Sequence, residues 1–306
     1  MSGNRRKSRA WAWLLVPAVV WPACSADLLL PAAPSTGEFP VLVGAGDIGV
    51  CGSAATLATG QLLDSQPGTV FAAGDLAYDE GTAEQFRDCY DPTWGRQKSR
   101  TRPAPGNHEY GSAGAMPYFT YFGANAGPPG LGYYRYASGT WQVYSLNSNV
   151  EASSTAAEVQ WLRSLLAAQP SACTVAYFHH SRFSSGMHGL ASPVPLVRDL
   201  WAELYNAGVD IVISAHEHLY ERFAPQTPDG AADPEYGIRQ FVVGTGGAPL
   251  ASALRRASNS EVLLTTFGIL RLTLQPQSYR WEFLSAEGGG VLDSGTGTCH
   301  ARRPGP

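Results

Sequence analysis

Short apolar runs separated by amphipathic stretches organise the first two thirds of this chain. Phe39 to Ala45, Thr69 to Ala73, Thr174 to Phe178 and Val209 to Ser214 are nearly all apolar, the pattern of strands buried on both faces. Between them lie helical signals. Ser53 is placed as the N-cap of a helix running to Ser65, and Thr82 with Gln85 forms a capping-box pattern opening a short helix towards Cys89. Thr155 precedes a helix over Ala156 to Ala168, with Glu158 in the capping-box position and Val159, Leu162, Leu165 and Leu166 along one face. Val194 to Asn206 reads as a helix ended by Gly208 as its C′ residue. Tyr133 to Tyr136 and Trp141 to Leu146 alternate like a hairpin, and the Tyr-, Phe- and Gly-rich stretch before them reads as a covering loop. From Arg239 onward strands follow one another without helices: Gln240 to Val243, Phe267 to Leu274 and Tyr279 to Leu284. This order predicts an α/β fold over residues 39–300, a four-layer αββα sandwich of two mixed sheets flanked by helices.

Five of these segments stop at a side chain able to bind metal: Asp47, Asp75, Asn107-His108, His179 and His216-Glu217-His218, with Tyr78 three residues after Asp75. Sheets of this kind place their chemistry at the carboxyl ends of strands. Taken singly, an Asp or Asn there is a turn former or helix cap, and Tyr78 a core aromatic. Taken together, the five endings point to one metal centre. Carboxylate and neutral imidazole are ordinary ligands for divalent and trivalent ions, and a carboxylate can bridge two of them. Two ions about 3.5–4 Å apart clamp both oxygens of a phosphoryl displacement and lower the pKa of bound water from about 15.7 towards neutrality. His216 and His218, two apart, face the same side of an extended segment. His180 would then alternate to the other face in a structural role, and His300 lies near the tail as an exposed residue. Gly244-Thr245-Gly246-Gly247 lacks the Lys and helix start of a phosphate loop and reads as a turn near the centre. Ser184-Ser185-Gly186 lacks the strained elbow of a serine nucleophile.

Composition places this chemistry outside the cytoplasm. Charged residues are 15% of the 306 and apolar ones 44%, which excludes a disordered chain. A net charge of −4 gives no nucleic-acid footprint. The basic cluster Arg5-Arg6-Lys7 precedes a short apolar run, Ala10 to Ala23, of the length of a secretory h-region rather than a membrane span. Residues 1–24 are therefore expected to be an export signal and 25–38 a linker. Lipidation at Cys24, simple cleavage and an uncleaved anchor all stay open, and lipidation at Cys24 or such an anchor would be the only membrane contact. The paired Arg5-Arg6 also suggests the twin-arginine route. Cys51, Cys89, Cys173 and Cys299 remain, an even number suited to an oxidising compartment and without a close Cys-x-x-Cys pair. Of the three pairings, Cys51–Cys89 with Cys173–Cys299 is favoured, because Cys51 and Cys89 follow the first two strand ends bearing metal-type residues.

Gly46-Asp47-Ile48-Gly49, Gly74-Asp75-Leu76-Ala77-Tyr78, Gly106-Asn107-His108-Glu109, His179 and Ala215-His216-Glu217-His218-Leu219-Tyr220-Glu221-Arg222 resemble, in order, the five blocks of the calcineurin-like metallophosphoesterases. The resemblance spans about residues 40–285. Gly49 stands where most of that superfamily has His, and Tyr78 is added; that arrangement, with the Tyr-Glu-Arg, is similar to the purple acid phosphatases. Nothing before residue 39 matches the amino-terminal sandwich domain of the large plant-type enzymes. Ala176-Tyr177-Phe178-His179 departs from the usual Val-x-x-His, and Ala215-His216 from the usual Gly-His, each keeping a small or apolar residue. The resemblance implies a first ion, Fe(III), on Asp47, Asp75, Tyr78 and His218. It implies a second, divalent Fe, Zn or Mn, on Asp75, Asn107, His179 and His216, with Asp75 as the bridge. It also implies that His108 faces the substrate, and His188 beside it. The expected activity is hydrolysis of small phosphate monoesters by metal-bound hydroxide. A phosphodiesterase of nucleotides or lipid headgroups, and a non-catalytic metal- or phosphate-binding surface protein, are the alternatives.

Overall fold

In the computed structural model, residues 39–168, 171, 173–191 and 194–300 are described. The expected export signal, linker and Cys24 lie outside them. The chain runs β1 (Val41–Ala45), α1 (Ala54–Asp64), β2 (Thr69–Ala73), α2 (Ala83–Gln85), β3 (Thr101–Ala104), α3 (Met116–Phe122), β4 (Tyr134–Ser138) and β5 (Trp141–Ser145). It continues through α4 (Ala157–Ala168), β6 (Thr174–His180), α5 (Arg198–Asn206), β7 (Ile211–Ala215), β8 (Tyr220–Phe223) and β9 (Arg239–Val243). It ends with β10 (Ser260–Leu264), β11 (Gly268–Gln275), β12 (Ser278–Ser285) and β13 (Val291–Thr298).

The apolar runs become the central strands of two mixed sheets. One has the order β13-β12-β11-β1-β2-β3 and the other β10-β8-β9-β7-β6-β5-β4. β1, β2 and β3 are parallel in the first, and β5, β6, β7 and β9 in the second. The sheets meet in one core, where Phe71 lies 5.9 Å from Tyr177 and Tyr220 stacks on Phe283 at 4.0 Å. A second core joins the seven-stranded sheet to α4 and α5 through Val159, Leu162, Trp201 and Leu204. α1 packs on the six-stranded sheet through Leu63, completing the four layers. Ser53 Oγ accepts from Thr56 N, and Thr82 and Gln85 close a full capping box, as their spacing predicts.

Three expectations change. The stretch expected as a covering loop is largely helical: turns at Glu109–Gly111, Ala113–Ala115 and Gly123–Ala126 flank α3. Its rings close a cluster in which Tyr121 stacks on Phe86 at 5.1 Å. Glu158 turns from its own helix to accept the Asn147 N–H at 2.7 Å, and burial pushes its carboxyl up to about 8. His300 is largely covered rather than exposed, its backbone N–H donating to Asp210 Oδ1 at 2.8 Å.

Both disulfides join as the favoured pairing has them, Cys51–Cys89 with Cα atoms 4.4 Å apart and Cys173–Cys299 with 5.3 Å. The first ties the loop after Asp47 to the helical segment after Tyr78. The second ties the end of β13 to the start of β6. Purified protein should show no free thiol at these four positions by peptide mapping. Cys173→Ser/Cys299→Ser should lose about 2–4 kcal/mol, a fall of roughly 5–15 °C in Tm. An unchanged melting curve would remove the second bridge from the stability of the fold.

Candidate metal centre

The carboxyl ends of β1, β2, β3, β6 and β7 open on one edge of the sandwich, so their loops converge there. The first two loops zip together beyond their strands: Asp47 N donates to Gly74 O at 3.0 Å, Ile48 N to Asp75 O at 2.8 Å and Tyr78 N to Gly49 O at 3.0 Å. Gly74 has φ +84°, and a Cβ there would come within 2.6 Å of the His179 ring, so only glycine lets the two sheets approach at this point. Ala215 fits where the family has glycine because Gly46 faces it without a side chain. Asp47, Asp75 and His216 all hold left-handed backbone, with φ of 57°, 54° and 69°. Three strained residues in one cluster, each costing on the order of 1–3 kcal/mol, are the mark of a functional site rather than of packing.

Glu109 shapes this cluster from beneath. Its fully buried carboxylate accepts from four backbone N–H groups: Asp75 at 2.9 Å, Leu76 at 2.7 Å, Ala77 at 3.2 Å and Gly106 at 2.7 Å. Burial first, then Asp75, push its carboxyl up to about 7, while the Gly106 and Leu76 N–H groups pull the other way.

The donor atoms form two groups that share one oxygen. Tyr78 Oη lies 2.8 Å from Asp47 Oδ1, 3.4 Å from His218 Nε2 and 3.4 Å from Asp75 Oδ2. His179 Nε2 lies 3.0 Å from Asn107 Oδ1, 3.1 Å from His216 Nδ1 and 3.0 Å from the same Asp75 Oδ2. His179 Nδ1 meets the Ala73 carbonyl at 3.0 Å and His218 Nδ1 the Pro249 carbonyl at 2.8 Å. A carbonyl only accepts, so each Nδ1 carries a proton and each ring turns its Nε2 inward, where it offers a lone pair once that atom is deprotonated. His179 Nε2 thus lies within hydrogen-bond distance of His216 Nδ1, Asn107 Oδ1 and Asp75 Oδ2, an arrangement that suits a cation. The oxygen and imidazole donors fit first-row transition ions. Asp75, His179 and His216 by themselves form a possible metal site.

A cation taken up here must displace protons from the imidazoles. Burial opposes a charge on His179 and His218, but Asp75 beside the first and Asp47 beside the second lift both to about 9. Against its own burial, Asp47 is held well below the usual carboxylate range by the His218 hydrogen bond and charge. Burial and then the neighbouring His179 press His216 down to about 2.

His108 Nδ1 meets the Asp79 carbonyl, which leaves Nε2 facing the cluster, 3.7 Å from Asp75 Oδ2. His188 lies at the rim with 54% of its side chain exposed and its ring centroid 4.1 Å from that of His216. His180 departs from its expected place: its ring lies 4.5 Å from His216 and 5.1 Å from His179, on the same side as both. An irregularity in the β6–β7 register between Tyr177 and His180 breaks the alternation that would have turned it away. Gly244 closes directly on Asp47 and Glu217, the turn expected near the centre. Ser185 is occupied structurally, its N–H donating to Glu221 at 2.8 Å. Motif reading passed over Glu109 and Glu217. The one signal for each was a charged residue inside an otherwise apolar or ligand-bearing block.

Solved structures share this fold. Purple acid phosphatase PPD1 from yellow lupin (Lupinus luteus) seeds matches at TM-score 0.79 and 22% identity over 88% of this chain, which spans 55% of the lupin chain. GAP50, the anchor in the inner membrane complex of Plasmodium, matches at TM-score 0.67 and 13% identity, over 87% of this chain and 90% of its own. A dimetal phosphatase from Danio rerio matches at TM-score 0.57 and 10% identity, over 86% and 99%. No curated protein matches the sequence. The model of the calcineurin-like phosphoesterase family matches residues 41–220, the stretch that carries all the donor residues of both groups, and the chain belongs to that metal-dependent family.

Proposed function

We propose that the protein is an exported phosphomonoesterase with a dinuclear metal centre. The observation that carries this reading is the sharing of Asp75 Oδ2 between two complete donor groups. Asp47, Asp75, Tyr78 and His218 would hold a ferric ion, and Asp75, Asn107, His179 and His216 a divalent iron, zinc or manganese. Two ions so held would polarise the phosphoryl oxygens and acidify a water molecule. The chain's own part is orientation and proton transfer. His108, fixed by the Asp79 carbonyl, presents Nε2 to the departing oxygen and protonates it, and His188 faces the ester from the rim. The two disulfides support a site of action outside the cytoplasm, and no helix among the described residues is long and apolar enough to cross a membrane. The GAP50 likeness keeps a non-catalytic role as the second reading, against which every donor expected of the centre is present here.

Turnover of aryl phosphate monoesters and diesters, on protein with quantified metals, tests the proposal. Monoesters should be preferred by at least about tenfold in kcat/KM, a difference of about 1.4 kcal/mol in transition-state binding. A diester preference would replace it with a diesterase, and no turnover of either with two metals bound would replace it with a binding role. His108→Ala should keep its metals and lose about 10²–10⁴ in rate, most on poor leaving groups. Equal losses across leaving groups would leave His108 as an electrostatic contact and not an acid.

A further inference from the structure

The segment 181–189 follows β6, and within it only Met187 and His188 are exposed; the rest is buried. Two carboxylates from the segment beginning at His216 hold it down. Glu221 receives the Ser185 backbone N–H at 2.8 Å and the Ser185 hydroxyl. Ser185 Oγ accepts in turn from Ala257 N at 2.8 Å, and Ser185 O from Leu254 N at 2.9 Å. Glu217, 2% exposed, fills the space beside Gly186, where a Cβ would clash with its Oε2. Glu217 Oε2 lies 3.5 Å from His188 Nδ1, and the backbone N–H groups of His188 and Gly189 are near enough to favour the ionised Glu217 carboxylate against its burial.

We infer that Glu217 is a positioning residue: it anchors the 186–189 turn and sets His188 over His216 with Nδ1 turned inward and Nε2 turned to the substrate. A carboxylate only accepts, so it selects the His188 tautomer with the proton on Nδ1 and leaves Nε2 as the outward atom. A surface turn held in this way is a fixed platform and not a lid. The kinetic consequence rests on the phosphoesterase reading; the anchoring does not.

The test uses the full chain reconstituted with zinc, as wild type, Glu217→Gln, His188→Ala and the double variant. In wild type the amides of His188 and Gly189 should be protected from hydrogen exchange although the turn lies at the surface. Glu217→Gln should speed their exchange about tenfold or more, keep both metals, and lower kcat/KM as far as His188→Ala does. The double variant should fall no further, since two residues acting as one unit are not additive. Unprotected amides in wild type overturn the inference even if the variant does not fold. Unchanged exchange in Glu217→Gln, multiplying kinetic losses, or loss of metal overturns it as well. If zinc-loaded wild type hydrolyses no phosphoester, the proposed function fails separately, and the exchange results alone decide the anchoring.

Discussion

Asp75→Asn is expected to release both metals and with them nearly all turnover. Among the described residues, Asp75 Oδ2 is the one atom within contact distance of both donor groups, 3.0 Å from His179 Nε2 and 3.4 Å from the Tyr78 oxygen. Oδ1 is also committed, accepting the His108 backbone N–H at 2.9 Å. An amide cannot serve both sides. If its NH₂ takes the Oδ2 position, two N–H donors face the cations; if it takes the Oδ1 position, it opposes the His108 N–H. Removing a residue that only supports a ligand lowers metal affinity by about 10–100-fold, so loss of a bridging ligand should exceed about 100-fold at each site. Elemental analysis after gel filtration reads the effect, and the Tm of metal-free wild type and variant should agree, showing that the fold survives. Two metals per chain retained in Asp75→Asn would remove Asp75 from the bridge.

Tyr78→Phe should abolish visible absorbance and lower the metal content of one site more than the other. The phenol oxygen lies between Asp47, Asp75 and His218, while its ring packs 4.4 Å from that of His108. Phe keeps the packing and removes only the oxygen, so the change isolates the ligand role. Burial, then the two carboxylates, hold the phenol far above its ordinary range. A strongly charged cation must drive the proton off, which is the case for a trivalent iron. Gly49, standing where most of the superfamily has a neutral His ligand, fits the same expectation, since a Tyr78 phenolate would put an anionic oxygen where a nitrogen is missing. Iron-loaded, oxidised wild type should therefore be violet to pink and the variant colourless, with iron at the Asp47 side reduced about tenfold or more. An active, colourless wild type with zinc or manganese in both sites would sink the ferric assignment and leave Tyr78 a neighbour of the metals.

Much of this was legible before any coordinates, for a physical reason. The central strands are buried on both faces, so their residues must be apolar and their ends stand out wherever a carboxylate, amide or imidazole follows. Ser53 and the Thr82–Gln85 box are local hydrogen-bond patterns that tertiary contacts did not override. The strands that escaped notice lie at sheet edges or take their form from a partner. β13 reads Val-Leu-Asp-Ser-Gly-Thr-Gly-Thr, and its Gly295 and Gly297 lie under the rings of Trp281 and Tyr279 on β12. β10 is only partly buried and pairs with β8 across an irregular register. Nothing in the local sequence of either demands extension; the neighbouring strand does.

The site divides in the same way. The identity and order of its donors are properties of the sequence, because each stands at the end of an apolar run or within three residues of such a donor. Their mutual geometry belongs to the folded molecule. A slip in the β6–β7 register keeps the His180 ring beside His216, a contact between segments far apart in the chain that no periodicity encodes. Glu109 gathers N–H groups from residues 75–77 and from Gly106, joining loops that are about thirty residues apart in the chain. Glu158 could have capped its own helix, but the Asn147 N–H needed a buried acceptor and claimed it instead. Sequence by itself determined which side chains arrive at the carboxyl edge, through burial and local hydrogen bonding. Only the tertiary structure decided which buried carboxylates serve the backbone and which turn to the metals, because that choice depends on donors brought close by the packing of the two sheets.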